Sequence, residues 1–175
     1  REVEEVKKRI REALEESERV IRENKKKNEE LLDRVRKEIE RNKKKNEEVL
    51  KRAKEVTKAG RPKSRVLEEI RRIVEESRRH LDKVLEDVER ILRDSKRHVD
   101  EVNRKSETIA RELKKKVKDV EDVKRKIDRM VEESRKLVED LKRESDRVEE
   151  EVRKLVKTIK DEITRSLDEV RKDAE

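Results

Sequence analysis

The chain holds two histidines, His80 and His98, and each sits in the same local pattern. A serine lies three residues before each (Ser77, Ser95), and a carboxylate four before (Glu76, Asp94). On a helix, positions three and four apart share a face. A hydroxyl beside an imidazole is the start of a nucleophile–base pair. Acyl-transfer chemistry also needs oxyanion donors and a concave site, and no Gly-rich loop is present to supply them, with Gly60 the sole glycine. Metal binding fails on geometry. His80 and His98 are 18 residues apart, about 27 Å along a helix, so they cannot share an ion. One histidine with one carboxylate falls short of the three or four ligands zinc takes. With no cysteine there is no thiol nucleophile, disulfide or Cys-based zinc site. The sequence therefore predicts no catalytic residues, no cofactor, no metal and no enzyme.

The elements that hold these residues follow from composition and period. Of the 175 residues, 59% are charged, 29% are apolar and none is aromatic. High charge with low hydrophobicity usually means disorder, but here the apolar residues recur with helical period in a composition typical of long helices. The turn residues that a sheet would need every ten or so positions are missing. The expected fold is all-α.

One break is marked by Gly60 and Pro62, with Ser64 placed to cap the next helix. A second carries neither Gly nor Pro. There the basic run Lys114, Lys115, Lys116 and Lys118 suits a helix C-terminus, and Asp119, Glu121 and Asp122 suit an N-terminus. Phase agrees: the apolar stripe from Val66 to Leu113 and that from Val123 to Val170 differ by about 70° on one wheel. These breaks predict helices at about 2–59, 64–118 and 121–174, each on the order of 80 Å long. Short turns between helices of similar length give a single domain, an elongated antiparallel up-down-up three-helix bundle. Core positions recur every 18 residues, as in Val3, Ile21, Ile39 and Val66, Val84, Val102. Five turns of 3.6 residues make 18, so the helices are expected to run nearly straight.

The uncharged polar residues are concentrated on the faces expected to be buried. Ser17, Asn24, Asn28, Asn42, Asn46, Ser77, His80, Ser95, His98, Asn103, Ser106, Ser134, Ser145 and Ser166 all fall there. Folding back about Gly60 brings Ser17 level with Ser106, Asn28 with Ser95 and Asn46 with Ser77. Folding back near Val120 brings Ser106 level with Ser134, and Ser95 with Ser145. Three polar layers are expected: Ser17/Asn103/Ser106/Ser134, Asn24/Asn28/Ser95/His98/Ser145 and Asn42/Asn46/Ser77/His80/Ser166. A buried amide or hydroxyl left unpaired costs about 1–3 kcal/mol, so such layers penalise a slipped register.

Two segments are near-duplicates 18 residues apart: ENKKKNEELL with RNKKKNEEVL, and EESRRHLDKVL with RDSKRHVDEVN. On these marks, and on its lack of Gln, Cys and surface Ser, the chain resembles computationally designed helical bundles with buried hydrogen-bond networks. The resemblance implies a structural scaffold without natural biochemical activity, its networks specifying helix register. The alternative reading is a designed module that pairs with another helical chain or with itself.

Other partners are expected to be absent. The net charge is +8, but Glu follows each Lys cluster and no aromatic is available for stacking on bases, which argues against a nucleic-acid role. No apolar run approaches the roughly 18 residues that cross a bilayer, and no signal peptide opens the chain. The apolar faces carry Asn and Ser and lack Trp or Phe anchors, which argues against a membrane surface. A homo-oligomer or a designed helical partner stays open.

Overall fold

The computed structural model describes residues 2–59 and 63–174. Among them the chain forms three α-helices: α1 (Glu2–Lys58), α2 (Lys63–Lys116) and α3 (Glu121–Ala174). Gly60 and Pro62, the expected first break, lie outside the described residues. Before them, the Ala59 N–H donates to the Glu55 carbonyl at 3.1 Å. Ser64 was expected as a cap, but α2 begins one residue earlier at Lys63. A capping residue must stand outside the helix, so Ser64 belongs to the first turn instead.

The second break needs no Gly or Pro. The Val120 N–H donates to the Val117 carbonyl at 3.0 Å, and the Val120 carbonyl accepts from the Lys124 N–H at 3.2 Å. Val120 thus stands at the cap position of α3. Val117 is buried with Val123 and Ile127, and Val120 packs against the same cluster. Apolar burial holds a turn that sequence punctuation does not mark. Charge suits the polarity of each end: Lys114, Lys115 and Lys116 close α2, while Glu121 and Asp122 open α3.

The three helices are all in mutual contact and form a three-helix bundle. Their residues group into two compact units. One comprises residues 1–30 and 90–148, the other residues 31–89 and 149–175. In the first, Ser17 meets Ser134 and Asn28 meets Ser145, both pairs 117 residues apart, so α1 and α3 run parallel there. Between α2 and α3 the numbering runs in opposite senses through Lys114–Asp128, Glu107–Arg135, Asp100–Lys142 and Lys96–Asp146. In the second unit the same antiparallel sense appears in Glu89–Arg153 and Asp82–Lys160.

The core is aliphatic. In the first unit one cluster gathers Val6, Ile10, Ala110, Leu113, Val123 and Ile127, and a second gathers Val20, Ile21, Val99, Val138 and Leu141. The second unit buries Val35, Ile39, Leu81, Val88, Val152 and Ile163, among others. Each buried Val, Leu or Ile side chain contributes about 1.5–3 kcal/mol on leaving water. Packing on this scale stabilises helices whose composition is otherwise mostly charge.

Candidate functional site

The buried polar residues form three groups of different completeness. In the first unit, the Ser134 hydroxyl donates to Asn103 Oδ1 at 2.7 Å and lies 3.4 Å from the Ser17 hydroxyl. Asn103 Nδ2 donates in turn to Glu107 Oε1 at 3.2 Å, and Arg135 Nε donates to the same oxygen at 2.8 Å. The chain of bonds therefore starts at fully buried Ser17 and ends at a surface ion pair. The Arg135 guanidinium, with help from Asn103, holds the Glu107 carboxyl below the usual carboxylate range, and Glu107 raises Arg135 in return. Ser106 stands apart, donating to the carbonyls of Ala13 on α1 and Val102 on its own helix.

The second group divides into two pairs. The Ser95 hydroxyl donates to Asn24 Oδ1 at 2.9 Å, and Asn24 Nδ2 donates to the Val20 carbonyl at 2.7 Å. Asn28 Nδ2 donates to the Ser145 hydroxyl at 3.0 Å. Asn24, rather than Asn28, thus meets Ser95. The two amides are one turn apart, and their partners place Asn24 against α2 and Asn28 against α3.

In the second unit Asn42, Asn46 and Ser77 close a triangle. Asn46 Nδ2 donates to Asn42 Oδ1 at 2.7 Å and to the Ser77 hydroxyl at 3.0 Å, while that hydroxyl donates to Asn42 Oδ1. Ser166 is half-buried and joins none of these bonds; it lines an open depression with Asn46 and Ile163. No buried side-chain nitrogen or oxygen among the described residues lacks a partner.

The histidines differ from expectation. His80 and His98 are both exposed. His80 Nε2 lies 2.8 Å from Glu38 Oε1 on α1, with 49% of its side chain open to solvent. His98 makes no hydrogen bond or ion pair among the described residues. The physical reason is angular: both lie about 80° from the centre of the buried stripe of α2 at 100° per residue. At that edge an imidazole stays hydrated, and Ser77 and Ser95 already have Asn partners. Glu38, not Glu76, is therefore the carboxylate beside His80. Neither histidine hydrogen-bonds to the serine three residues before it, whose hydroxyl is instead engaged with Asn42 and Asn46 or with Asn24, so no nucleophile–base pair is assembled. Among the described residues no group of three metal-ligating side chains occurs.

Two residues that sequence reasoning missed complete the first group, Glu107 and Arg135. The signal was available in part, since Asn103 and Glu107 are four apart on one helical face. Arg78, which donates to the Thr164 hydroxyl across α2 and α3, carried no such signal.

A family model described as "Apolipophorin-III precursor (apoLp-III)" matches residues 39–175, well over half of the chain. No curated protein matches. Among solved structures, a "Computationally designed three helix bundle" is similar at 16% identity and a TM-score of 0.35, covering 99% of this chain and 86% of that one. The bundle rests on the contacts described above and not on this likeness. The family match overturns the resemblance to designed bundles. With it go the expectation of a scaffold without natural activity, the alternative of a designed pairing module, and the exclusion of a membrane or lipid partner. The features behind that resemblance are less specific than they look. Eighteen residues make five whole turns, so any amphipathic helix repeated at that period keeps its face, whatever surface the face meets.

Proposed function

Because the chain belongs to the apolipophorin-III family, we propose that it binds lipid surfaces as an exchangeable apolipoprotein. The family is one of non-enzymatic lipid-binding proteins, and the chain is not an enzyme. Segregation along the helices is the observation that carries the reading. Each helix turns Val, Leu and Ile inward and an almost wholly charged face outward. A helix of this kind lies in the boundary between headgroups and acyl chains. No helix among the described residues is long and apolar enough to cross a membrane.

In the lipid-free bundle the apolar faces are turned toward one another, so lipid reaches them only when the helices part. An aliphatic side chain passing from core to acyl chain keeps roughly the 1.5–3 kcal/mol it gained by leaving water. The Asn and Ser of the layers have no such exchange, and they hold each helix at headgroup depth rather than deeper. With no aromatic anchor, attachment depends on aliphatic area and on charge. The net charge of +8 favours anionic lipid, by about 1 kcal/mol for each basic residue near the surface. The Asn and Ser layers serve the lipid-free state. Their hydrogen bonds select one register of the helices, because a slipped one leaves donors and acceptors unpaired.

Sedimentation with vesicles tests the reading. The protein is expected to pellet with phosphatidylcholine vesicles containing phosphatidylglycerol, more weakly with phosphatidylcholine alone, and less as salt rises. Protein that stays in the supernatant with both vesicle types at low salt overturns it.

A further inference from the structure

The seams between the helices differ in chemistry. In the first unit α2 and α3 are joined by Lys114–Asp128, Arg135–Glu107, Lys142–Asp100 and Lys96–Asp146. In the second they are joined by Arg153–Glu89 and Lys160–Asp82. To α3, α1 is tied by Lys25–Glu144 in the first unit and Arg36–Glu151 in the second, and to α2 by Glu38–His80 in the second. What otherwise holds α1 polar-side is neutral: Ser17 with Ser134, Asn24 with Ser95, Asn28 with Ser145, and Asn42 and Asn46 with Ser77. Water replaces such bonds with little net loss once the helix is free.

Cover is uneven in the same sense. The large apolar side chains left most exposed are Ile91 and Ile109 on α2 and Leu137 on α3. Ile91 and Ile109 lie on the edge of α2 that also carries His80, the residue facing Glu38 of α1. Leu137 is seven residues before Glu144, the residue facing Lys25 of α1. The helix that leaves these edges open is α1.

We infer that α1 is the helix that detaches when the bundle opens, while α2 and α3 remain paired as a hairpin. Single exposed ion pairs are weak; the inference rests on their concentration at one seam together with the open apolar edges beside α1. The consequence for lipid rests on the lipid-binding reading above. Detachment uncovers the inward face of α1 and the groove between α2 and α3 in one step, separating Lys25–Glu144, Arg36–Glu151 and Glu38–His80 but none of the ion pairs between α2 and α3.

Cross-linking separates the seams, and the absence of native cysteine makes it specific. Lys25→Cys with Glu144→Cys, bridged by a short bismaleimide, ties α1 to α3. Asp100→Cys with Lys142→Cys, bridged by the same reagent, ties α2 to α3. The first bridge is expected to lower binding to anionic vesicles at least tenfold, and the second to leave it within twofold of the unbridged pair. Equal loss from both bridges, or the reverse order, overturns the inference. Native-state hydrogen exchange judges it without lipid. With rising denaturant, amides of α1 should exchange through an opening that leaves α2 and α3 protected; exchange of all three helices in a single step overturns it. A protein that binds no vesicles but releases α1 in exchange would sink the lipid reading and leave this one standing.

Discussion

Ser134 on α3 and Asn103 on α2 are joined by a 2.7 Å hydrogen bond, and that bond is the hinge of a chain reaching from buried Ser17 to the Glu107–Arg135 ion pair. Asn103→Ala removes the acceptor of Ser134 and one of the two donors to Glu107. The expected loss is about 1 kcal/mol, more if the Ser134 hydroxyl finds no other partner than Ser17. Chemical denaturation measures it, and an unchanged midpoint would show that the bond contributes nothing.

Asn28 and Ser145 form an isolated pair, which makes them suitable for a double-mutant cycle. Ser145→Ala alone leaves the Asn28 amide without that acceptor and should lower stability by about 1–3 kcal/mol. Asn28→Leu together with Ser145→Ala should recover most of that loss or exceed wild type, because apolar replacement of both partners removes the orphan. A double variant that is less stable than either single variant contradicts this.

Glu107 gives the acid response a defined sign. Arg135 holds its carboxyl below the ordinary value, so the group stabilises the fold above the pKa it has in the unfolded chain. That contribution is lost as pH falls through the lower folded value. Between pH 6 and pH 3 the wild-type denaturation midpoint should therefore fall further than that of Glu107→Gln. Equal falls would mean that the ion pair carries no pH-linked stability.

The exposed histidines should matter little to folding. His98→Ala, and His80→Asn with its surface contact to Glu38, should each shift stability at neutral pH by no more than about 0.5 kcal/mol. A loss above about 2 kcal/mol for either would require a buried role that their exposure does not support.

How legible these features were depended on how sharply each residue type marks its place. The Val, Leu and Ile period gave three helices, and charge with phase placed the start of α3 at Glu121, as found. The end of α2 comes at Lys116 rather than about 118, because Val117 is already drawn into the turn by the cluster it packs on. Ser17, Asn28 and Ser145 were legible as inward residues, since a small polar side chain in an apolar stripe has nowhere else to point. His80 and His98 were not, because a wheel position at the stripe edge does not say whether an imidazole folds in or out. Glu107 and Arg135 were hidden among charges that all looked like surface. The lipid-binding family was not legible either. An amphipathic face records that it meets something apolar, and the same stripe serves a neighbouring helix and an acyl chain.

The rungs between α2 and α3 carry a built-in ambiguity. Lys114, Lys96 and Arg78 stand 18 residues apart, as do Glu107 and Glu89, and Asp100 and Asp82. On the other rail Asp128 repeats as Asp146, Arg135 as Arg153 and Lys142 as Lys160. Sliding one helix past the other by one period, about 27 Å, would set Lys96 against Asp128 and Glu89 against Arg135, with every sign still matched. The rungs are thus a ruler whose divisions are all alike: they define alignment within a division but not which division is meant. Asn103 supplies the missing numeral. One period earlier its position is taken by Leu85, which has nothing to offer Ser134. The short link through Val117 and Val120 enforces the same choice, so a chain cut at that link would depend on this amide, with the layers on α1 and the aliphatic packing, to keep its place along the ruler.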